Sequence, residues 1–339
     1  MMPMRYLLTG CAGFIGLHVC RRLLQEGHQV TGIDNLNDAY DPRLKQSRLA
    51  QLVCLPRFRF HLADIADPRA IEEVVAVDAR TDTALGPRSP YAAVIHLAAR
   101  TGIRMSARIP RCYYRTNVEG TLNLLELCRV HSIPKFLLAS SSSLYGPPKE
   151  LPCREDSDTS HPLSPYAASK KAAETLVHSY HHLYGIDASV LRYFTVYGPA
   201  GRPDMSVFYF IRRIAEGEPV IVFGDGTQRR DFTYVDDIAA GTLAALRPLG
   251  YEAINLGGGH PVPLVELIEE IGRQLGKAVQ IESRSANPME VTATWAENGK
   301  ARELLGWSPQ ISLAEGIRRS IAWYRENRNW VLSLELGER

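Results

Sequence analysis

The sequence predicts an α/β fold, a doubly wound parallel sheet followed by a smaller C-terminal domain, and three observations carry that prediction. The apolar segment Tyr6 to Leu8 runs into Gly10, Gly13 and Gly16, and a helical pattern with Ile15, Val19, Leu23 and Leu24 follows at once. Strand-like apolar runs and helical periodicities then alternate as far as Arg192, the pattern of βα units around a buried parallel sheet. Beyond Arg192 the rhythm breaks, with prolines and glycines crowding Gly198 to Pro203 and shorter elements after them.

Taken in order, the first strand, turn and helix form the stretch LLTGCAGFIG (Leu7 to Gly16), a Rossmann-type beginning. Glycines permit the tight turn, and they let the N–H groups at the helix start approach a pyrophosphate that the helix dipole favours. Gln29 to Ile33 is the second strand, closed by Asp34, eighteen residues after Gly16. A carboxylate there accepts hydrogen bonds from an adenosine ribose and repels a 2′-phosphate, so it favours NAD over NADP.

A polar helix is expected from Pro42 to Leu52 and a third strand from Phe58 to Leu62, leading to Asp64 and Ile65. Asp64 has two readings from pattern alone: it holds the adenine end of a cofactor with Ile65, or it caps the helix from Pro68 to Val77. Asp78 to Pro90 reads as a surface loop, and Ala92 to Leu97 as a fourth strand. The small residues Ala98 and Ala99 after Leu97 let a ligand lie close to the backbone. A helix from Asn117 to Val130 precedes a fifth strand, Pro134 to Ala139, and a helix from Tyr166 to Tyr184 precedes a sixth, Ala188 to Arg192.

In the second part the spacing predicts helices over Ser206 to Glu216, Leu264 to Leu275 and Leu313 to Arg325, with a strand at Pro219 to Phe223. Asp236 to Leu246 and Ala253 to Leu256 read as a helix and strand returning to the large sheet. The expected domains are therefore 1–192, with its sheet completed by 232–256, and a substrate domain formed by 193–231 and 257–330.

Composition narrows the function by exclusion. The formal charge of +2 comes from 39 basic and 37 acidic residues with no long run of either sign, which points away from a nucleic-acid or membrane surface. No apolar run approaches the ~20 residues that span a bilayer, so a cytoplasmic location is expected. The six cysteines are scattered without a C-x-x-C pair, and His178, His181 and His182 lack a further ligand, so no metal site is expected.

The chemistry gathers at the fifth strand's end, where Ser140 to Ser143 lie beyond the carboxyl edge at which ligands bind in such sheets. Tyr166 and Lys170 stand at i and i+4 of one helix and share a face. A free tyrosine titrates near ~10, and bringing it near 7 takes roughly 4 kcal/mol of preference for the phenolate. Lys170 and a positively charged nicotinamide are expected to supply that preference, and Ser141 to orient a substrate hydroxyl.

Together, the G-x-x-G-x-x-G spacing, Asp34, the serine strand end and YAASK (Tyr166 to Lys170) resemble the extended short-chain dehydrogenase/reductase family, the nucleotide-sugar epimerases and dehydratases. The resemblance covers nearly the whole chain, through LRYFTVYGPAGRPDM (Leu191 to Met205), FGDGTQRRDFTYVDDIA (Phe223 to Ala239) and ARELLGW (Ala301 to Trp307). It implies NAD held by Gly10, Gly13, Phe14, Ile15, Gly16, Asp34, Asn35, Asp64, Ile65, Leu97, Ala98, Ala99, Asn117, Tyr166 and Lys170. It also implies a UDP-sugar between the domains, with Arg230 near the diphosphate, and a homodimer made through the helices of Asn117 and Tyr166.

Family dehydratases carry Asp-Glu where this chain has Ser142 and Ser143, and the decarboxylases place Glu at the latter. With both serine, simple 4-epimerisation through transient oxidation at C4 is favoured, with Tyr166, Lys170, Ser141 and Ser142 catalytic. DNLNDAYD (Asp34 to Asp41) and TVYGPAGRPDM match the UDP-glucuronate 4-epimerase branch best. Arg202 is then either a contact to the uronate, with Ser142, Ser143 and Thr195 donating hydrogen bonds, or a loop arginine paired with Asp204. The alternatives are an epimerase of UDP-glucose and UDP-galactose and, more remotely, a non-catalytic NAD-binding regulator. Two departures from the family pattern stand out. Arg100 replaces its usual Gln, and Met289-Glu290 replaces a Gly-Asp near the uridine, leaving Glu290 to accept the ribose hydroxyls.

Overall fold

The computed structural model describes residues 3–81, 89–286, 289 and 291–336. The chain opens with β1 (Arg5–Thr9), α1 (Phe14–Gln25), β2 (Gln29–Asp34), α2 (Pro42–Val53), β3 (Phe58–Leu62), α3 (Pro68–Thr81) and β4 (Ala93–His96). Two short helices, α4 (Ile103–Arg108) and α5 (Pro110–Tyr114), lead through a π-helical turn at Arg115–Glu119 into α6 (Gly120–Val130). After β5 (Lys135–Ser141) a 3₁₀ turn (Ser142–Tyr145) precedes α7 (Pro165–Tyr184) and β6 (Asp187–Tyr193).

These strands form a seven-stranded sheet with β10 (Tyr251–Leu256), in the order β10-β6-β5-β4-β1-β2-β3, and every pairing is parallel. Because β1 pairs with both β2 and β4, the strand order reverses there, and the carboxyl edge opens a crevice between the loops after β1 and β4. Both faces are covered. On β1, Tyr6 and Leu8 join one apolar cluster and Leu7 the other, which is why the strand reads as a continuous buried run.

The remaining chain makes smaller sheets: β7 (Thr195–Tyr197), β9 (Arg229–Tyr234) and β11 (Pro261–Pro263) form one, β8 (Val220–Phe223) and β12 (Ile281–Arg284) another. A third apolar cluster lies among α8 (Ser206–Glu216), α10 (Leu264–Leu275) and α12 (Leu313–Val331). Helix α9 (Val235–Ala244) packs on α1, and α11 (Gly299–Leu305) lies beside β10.

The structure adjusts several expectations. Residues 232–234 belong to β9 of a small sheet, so within 232–256 it is β10 that completes the large one. The helix at Pro68 continues to Thr81, four residues further, and residues 82–88 of the expected loop lie outside the described residues. The helix expected from Asn117 begins inside the π turn and becomes α-helical at Gly120. Helix α7 starts where its sequence says: Pro165 occupies the first turn, and Ser164 Oγ accepts from the Ala167 N–H at 3.2 Å.

Candidate active site

The glycine turn between β1 and α1 forms one wall of the crevice. Gly10 sits at φ +76°, where a Cβ would also stand 2.7 Å from the backbone nitrogen of Ala98 across the strand-order reversal. A Cβ on Gly16 would lie 2.0 Å from the Gly10 carbonyl oxygen, so the turn closes only without one. Gly13 caps α1 with no side-chain hydrogen bond and no acid follows in the first turn, leaving the helix N–H groups and dipole to a ligand.

Asp34 ends β2 buried, its Oδ2 accepting from the Ala12 N–H at 3.1 Å and its Oδ1 from the Leu36 N–H at 2.8 Å. These bonds fix the carboxylate against the turn. Asn35 Nδ2 donates to Asp64 Oδ2 at 3.2 Å, so the loops after β2 and β3 are tied together. Asp64 also accepts from the Ala66 N–H, whereas Asp67 accepts from the N–H groups of Arg69 and Ala70 at the start of α3. The capping alternative for Asp64 therefore falls to Asp67. Ile65 is buried, packed against Gly120 of α6.

On the β4 side, Ala98 N–H donates to Thr9 Oγ1 at 3.2 Å. The Asn117 side chain grips both backbone groups of Arg100: Oδ1 accepts from its N–H at 2.8 Å, and Nδ2 donates to its carbonyl at 2.9 Å and to Ser169 Oγ at 2.9 Å. Asn117 lies within the π turn, which aims this side chain at the strand end and at α7. The Arg100 guanidinium turns to Asp38, 3.3 Å away.

Tyr166 and Lys170 rise from α7 toward the end of β5. Ser141 hydrogen-bonds the Tyr166 phenol, and Ser141 Oγ also lies 2.9 Å from Ser143 Oγ and accepts from the Ser143 N–H at 3.2 Å. Burial pushes the Tyr166 phenol above its ordinary value, opposed by the Ser141 hydrogen bond and the positive charge of Arg202. Lys170 Nζ donates to the Ala139 carbonyl at 2.9 Å, and burial pushes its pKa down to about 8 against the pull of Glu174. Arg202 thus adds a positive charge at the phenol that the sequence did not point to. Tyr113 packs edge-on against Tyr166 with ring centres 6.2 Å apart, its hydroxyl donating to the carbonyls of Thr101 and Gly102.

Arg202 makes the Asp204 pairing of its second reading. Its Nε and Nη2 pair with Asp204 at 3.1 and 2.5 Å, and its guanidinium also stands over the Tyr40 ring, 5.5 Å from the centre. A narrow cleft lined by Phe14, Thr195, Arg202 and Met205 brings Arg202 and Thr195 together beside the cofactor turn. Arg230 is on β9 in the small sheet, and its Nη1 donates to the Arg229 carbonyl at 2.9 Å. Glu290 lies outside the described residues.

Residues 6–257 match the family described as the NAD dependent epimerase/dehydratase family. The chain belongs to that family. It is 49% identical over 332 residues to the UDP-glucuronate 4-epimerase of Thermodesulfobacterium geofontis, covering 98% of this chain and 99% of that protein. Among solved structures it is similar to the UDP-glucuronic acid 4-epimerase of Bacillus cereus in complex with UDP-glucuronic acid and NAD. That match has a TM-score of 0.86 and 36% identity over 95% of this chain and 99% of the other. It is also similar to the UDP-glucose 4-epimerase of Thermotoga maritima with UDP-glucose, at a TM-score of 0.86 and 30% identity over 96% of this chain and 100% of the other.

The residues present fit the family's cofactor. The tight turn that Gly10, Gly13 and Gly16 permit leaves the start of α1 without a side-chain cap, free to face a dinucleotide phosphate, and Asp34 is fixed against that turn, where an adenosine ribose would meet it. Sequence reasoning missed three residues around the site in this epimerase/dehydratase chain. Arg48, fully buried on α2, donates to the carbonyls of Ala200 and Gly201 and to the Tyr40 hydroxyl. Lys45, also buried, donates to Asn37 Oδ1 at 2.8 Å, and burial pushes its pKa down to about 8. Tyr113 is the third. A signal existed for Arg48, which interrupts the i, i+4, i+8 stripe of Leu44 and Leu52 on an otherwise polar helix.

Among the described residues no helix is long and apolar enough to cross a membrane. His178 and His181 of α7 pack against the Tyr251 ring, and His181 Nδ1 lies 2.9 Å from the Ile186 carbonyl oxygen.

Proposed function

We propose that the chain is a UDP-glucuronate 4-epimerase that keeps NAD through its cycle. The observation carrying this reading is the convergence of Ser141 and Tyr166, with Arg202 felt by the same phenol, at a strand end whose next residues are serines. NAD, when bound, supplies reversible hydride acceptance, and its positive nicotinamide favours a neighbouring phenolate. Gly10, Gly13 and Gly16 would hold its phosphates and Asp34 its adenosine ribose.

The chain's own groups manage protons and orientation. Tyr166 Oη takes the proton of the sugar's 4-hydroxyl and returns it after the ring has turned over, while Ser141 Oγ orients that hydroxyl. Lys170 holds positive charge beneath the site. The 4-keto form of a uronate is a β-keto acid, prone to lose carbon dioxide. Its carboxylate must be pinned against that loss, a task suited to Ser142, Ser143, Thr195 and Arg202. Replacing the dehydratase and decarboxylase acids by Ser142 and Ser143 leaves no carboxylic acid there to promote elimination.

The same reading divides the chain into an NAD-binding part, 1–192 with the strand from 232–256, and a UDP-sugar part, 193–231 and 257–330, whose Arg230 and Glu290 would meet the nucleotide. It also places a second copy against α6 and α7, where Leu122, Val130, Leu183 and Tyr184 are exposed.

The test is incubation with UDP-glucuronate and, separately, UDP-glucose, following C4 inversion and carbon dioxide release. Inversion of UDP-glucuronate without release is expected. Tyr166→Phe should lose about 10³-fold or more in turnover while still binding NAD. Substantial residual epimerisation in that variant, or carbon dioxide as the main product of the wild type, would overturn the reading.

A further inference from the structure

Beneath the pair Tyr166 and Lys170, the same face of α7 carries a third polar residue, Glu174, at i+8. Glu174 is 4% exposed, and all of its bonds run to charged or hydroxyl partners from neighbouring strands. Its Oε1 accepts from Ser140 Oγ at 2.6 Å and from Arg192 Nε at 3.0 Å, and its Oε2 accepts from Arg192 Nη2 at 2.9 Å. Ser140 immediately precedes Ser141, the serine that touches the Tyr166 phenol. Arg192, itself buried, extends the network through Nη1 to the Tyr145 hydroxyl and the Glu155 carbonyl, each at 3.0 Å. Tyr145 in turn donates to Asn255 Oδ1 at 2.6 Å, so β5, β6, β10 and α7 meet around one carboxylate.

We propose that Glu174 is a positioning residue for the epimerase chemistry: its anchored negative charge keeps the buried Lys170 protonated, and its bond to Ser140 fixes the strand end that delivers Ser141 to Tyr166. Glu174 is buried behind the strand end and acts through its two neighbours. A lysine as buried as Lys170 is pulled toward neutrality, and a neutral amine gives a phenolate no support.

The groups facing Lys170 leave Glu174 as its source of negative charge. From β4, His96 lies between Thr9 Oγ1 and Thr121 Oγ1 at 2.8 and 3.0 Å, and burial, with Lys170's own charge second, pushes its pKa down to about 3, so it is neutral. From β5 comes the Ala139 carbonyl, a neutral acceptor. Arg192 from β6 and Tyr251 from β10 face Glu174 on its far side, and the Tyr251 hydroxyl is held protonated at neutral pH, pushed up to about 12 by burial and then by Glu174. Among the described residues Glu174 is the charged group that raises the lysine against burial.

The inference rests on the epimerase reading for its consequence but has a readout independent of turnover. The ultraviolet titration of the Tyr166 phenolate, taken as the difference from Tyr166→Phe, is followed in the NAD-loaded protein without sugar. Removing the anion lets Lys170 lose its proton about one pH unit earlier, so in Glu174→Gln the alkaline limb of turnover should move down by about that much, roughly tenfold in rate there. The phenolate signal should lose its Lys170-dependent step over the same range. Glu174→Asp, which keeps the charge on a shorter arm, should restore the pH profile while lowering the maximum rate.

Where Glu174→Gln does not fold, the double variant Glu174→Gln, Arg192→Met removes the pair together and should show the same downward shift. An unchanged phenolate titration and pH profile in whichever variant folds would overturn the proposal and leave Glu174 a structural residue. If the wild type fails to invert UDP-glucuronate but the titration shifts as described, the substrate assignment falls and the positioning role stands.

Discussion

The two walls of the crevice are made by different means. On the sheet side, the loops after β1, β4 and β5 present mostly backbone to the ligand space: the N–H groups of the glycine turn, the close-packed Ala98 and Ala99, and a serine strand end. Strand pairing, tight turns and helix starts place these groups. The opposite wall, from Thr195 to Met205 and from Arg229 onward, is held by single buried side chains reaching across long stretches of chain. Arg48 on α2 ties the carbonyls of Ala200 and Gly201, 152 and 153 residues away. Asp231 on β9 gathers Gly259 and Ala296 through their N–H groups at 3.1 and 2.8 Å. One wall is repetitive and local, the other depends on a few residues, so single substitutions should damage the second wall disproportionately.

The largest effect expected on that comparison is at Arg48. The loop it holds contains Ala200 at φ +54° and Gly198 at φ +155°, a backbone that needs support for its left-handed alanine. Arg48→Met keeps most of the volume but leaves the carbonyls of Ala200 and Gly201 and the Tyr40 hydroxyl without their donor. Denaturant unfolding should show a loss of roughly 3 kcal/mol. NAD retention should fall as well, because Arg48 Nη1 also reaches the Ala12 carbonyl in the glycine turn at 3.4 Å. A loss below ~1 kcal/mol would show that the second wall is as redundantly built as the first.

Next in size is a pH effect at Asp231. The carboxyl is pushed up to about 6 by burial, against the pull of the N–H groups of Ala296, Gly259 and Gly258 and the charge of His260. A folded pKa raised above the unfolded one means that the protonated form is favoured by folding. Its contribution is fully present below the unfolded value of 3.8 and is lost as pH rises through about 6. Between pH 4 and 7 the wild type should therefore lose on the order of 2–3 kcal/mol from this group, and Asp231→Asn should lack that slope. Parallel pH–stability curves for the two proteins would remove Asp231 from the account.

What the sequence made legible follows the same division. The βα alternation, the glycine cradle with Asp34, and the register of Ser141 with Tyr166 and Lys170 were readable because each is a short-range pattern: a period, a spacing, a strand end. Helices α8 and α10 were readable to the residue, since their apolar stripes are strong. The strands β7 and β11 were not, because three residues show no period. The π turn at Arg115–Glu119 was invisible because its extra residue leaves the helical pattern around it intact. Asp231 gave no functional signal, and Arg48 only a break in an apolar stripe, because what makes them matter is a partner far along the chain; the charge of Arg202 at Tyr166 was not legible for the same reason, since Arg202 arrives from another wall.

Arg202 is where the two walls touch, and it gives the smallest and most discriminating effect. We propose that it faces the uronate, but it also acts on the Tyr166 phenol, whose pKa it lowers against burial. These roles separate kinetically. A carboxylate contact is absent from UDP-glucose, so Arg202→Ala should raise KM for UDP-glucuronate about tenfold more than for UDP-glucose, roughly 1.4 kcal/mol of lost binding. Support for the phenolate is common to both sugars, and its loss should lower kcat equally and shift the acid limb of both pH profiles upward. Because Asp204 already pairs with the guanidinium at 2.5 Å, a carboxylate ligand has to share or displace that partner, which keeps the expected binding effect modest. An equal fall in kcat on the two substrates with no difference in KM would assign Arg202 to the tyrosine alone. The uronate would then be left to Thr195 and the serines, and Thr195→Val would become the variant that separates the two sugars.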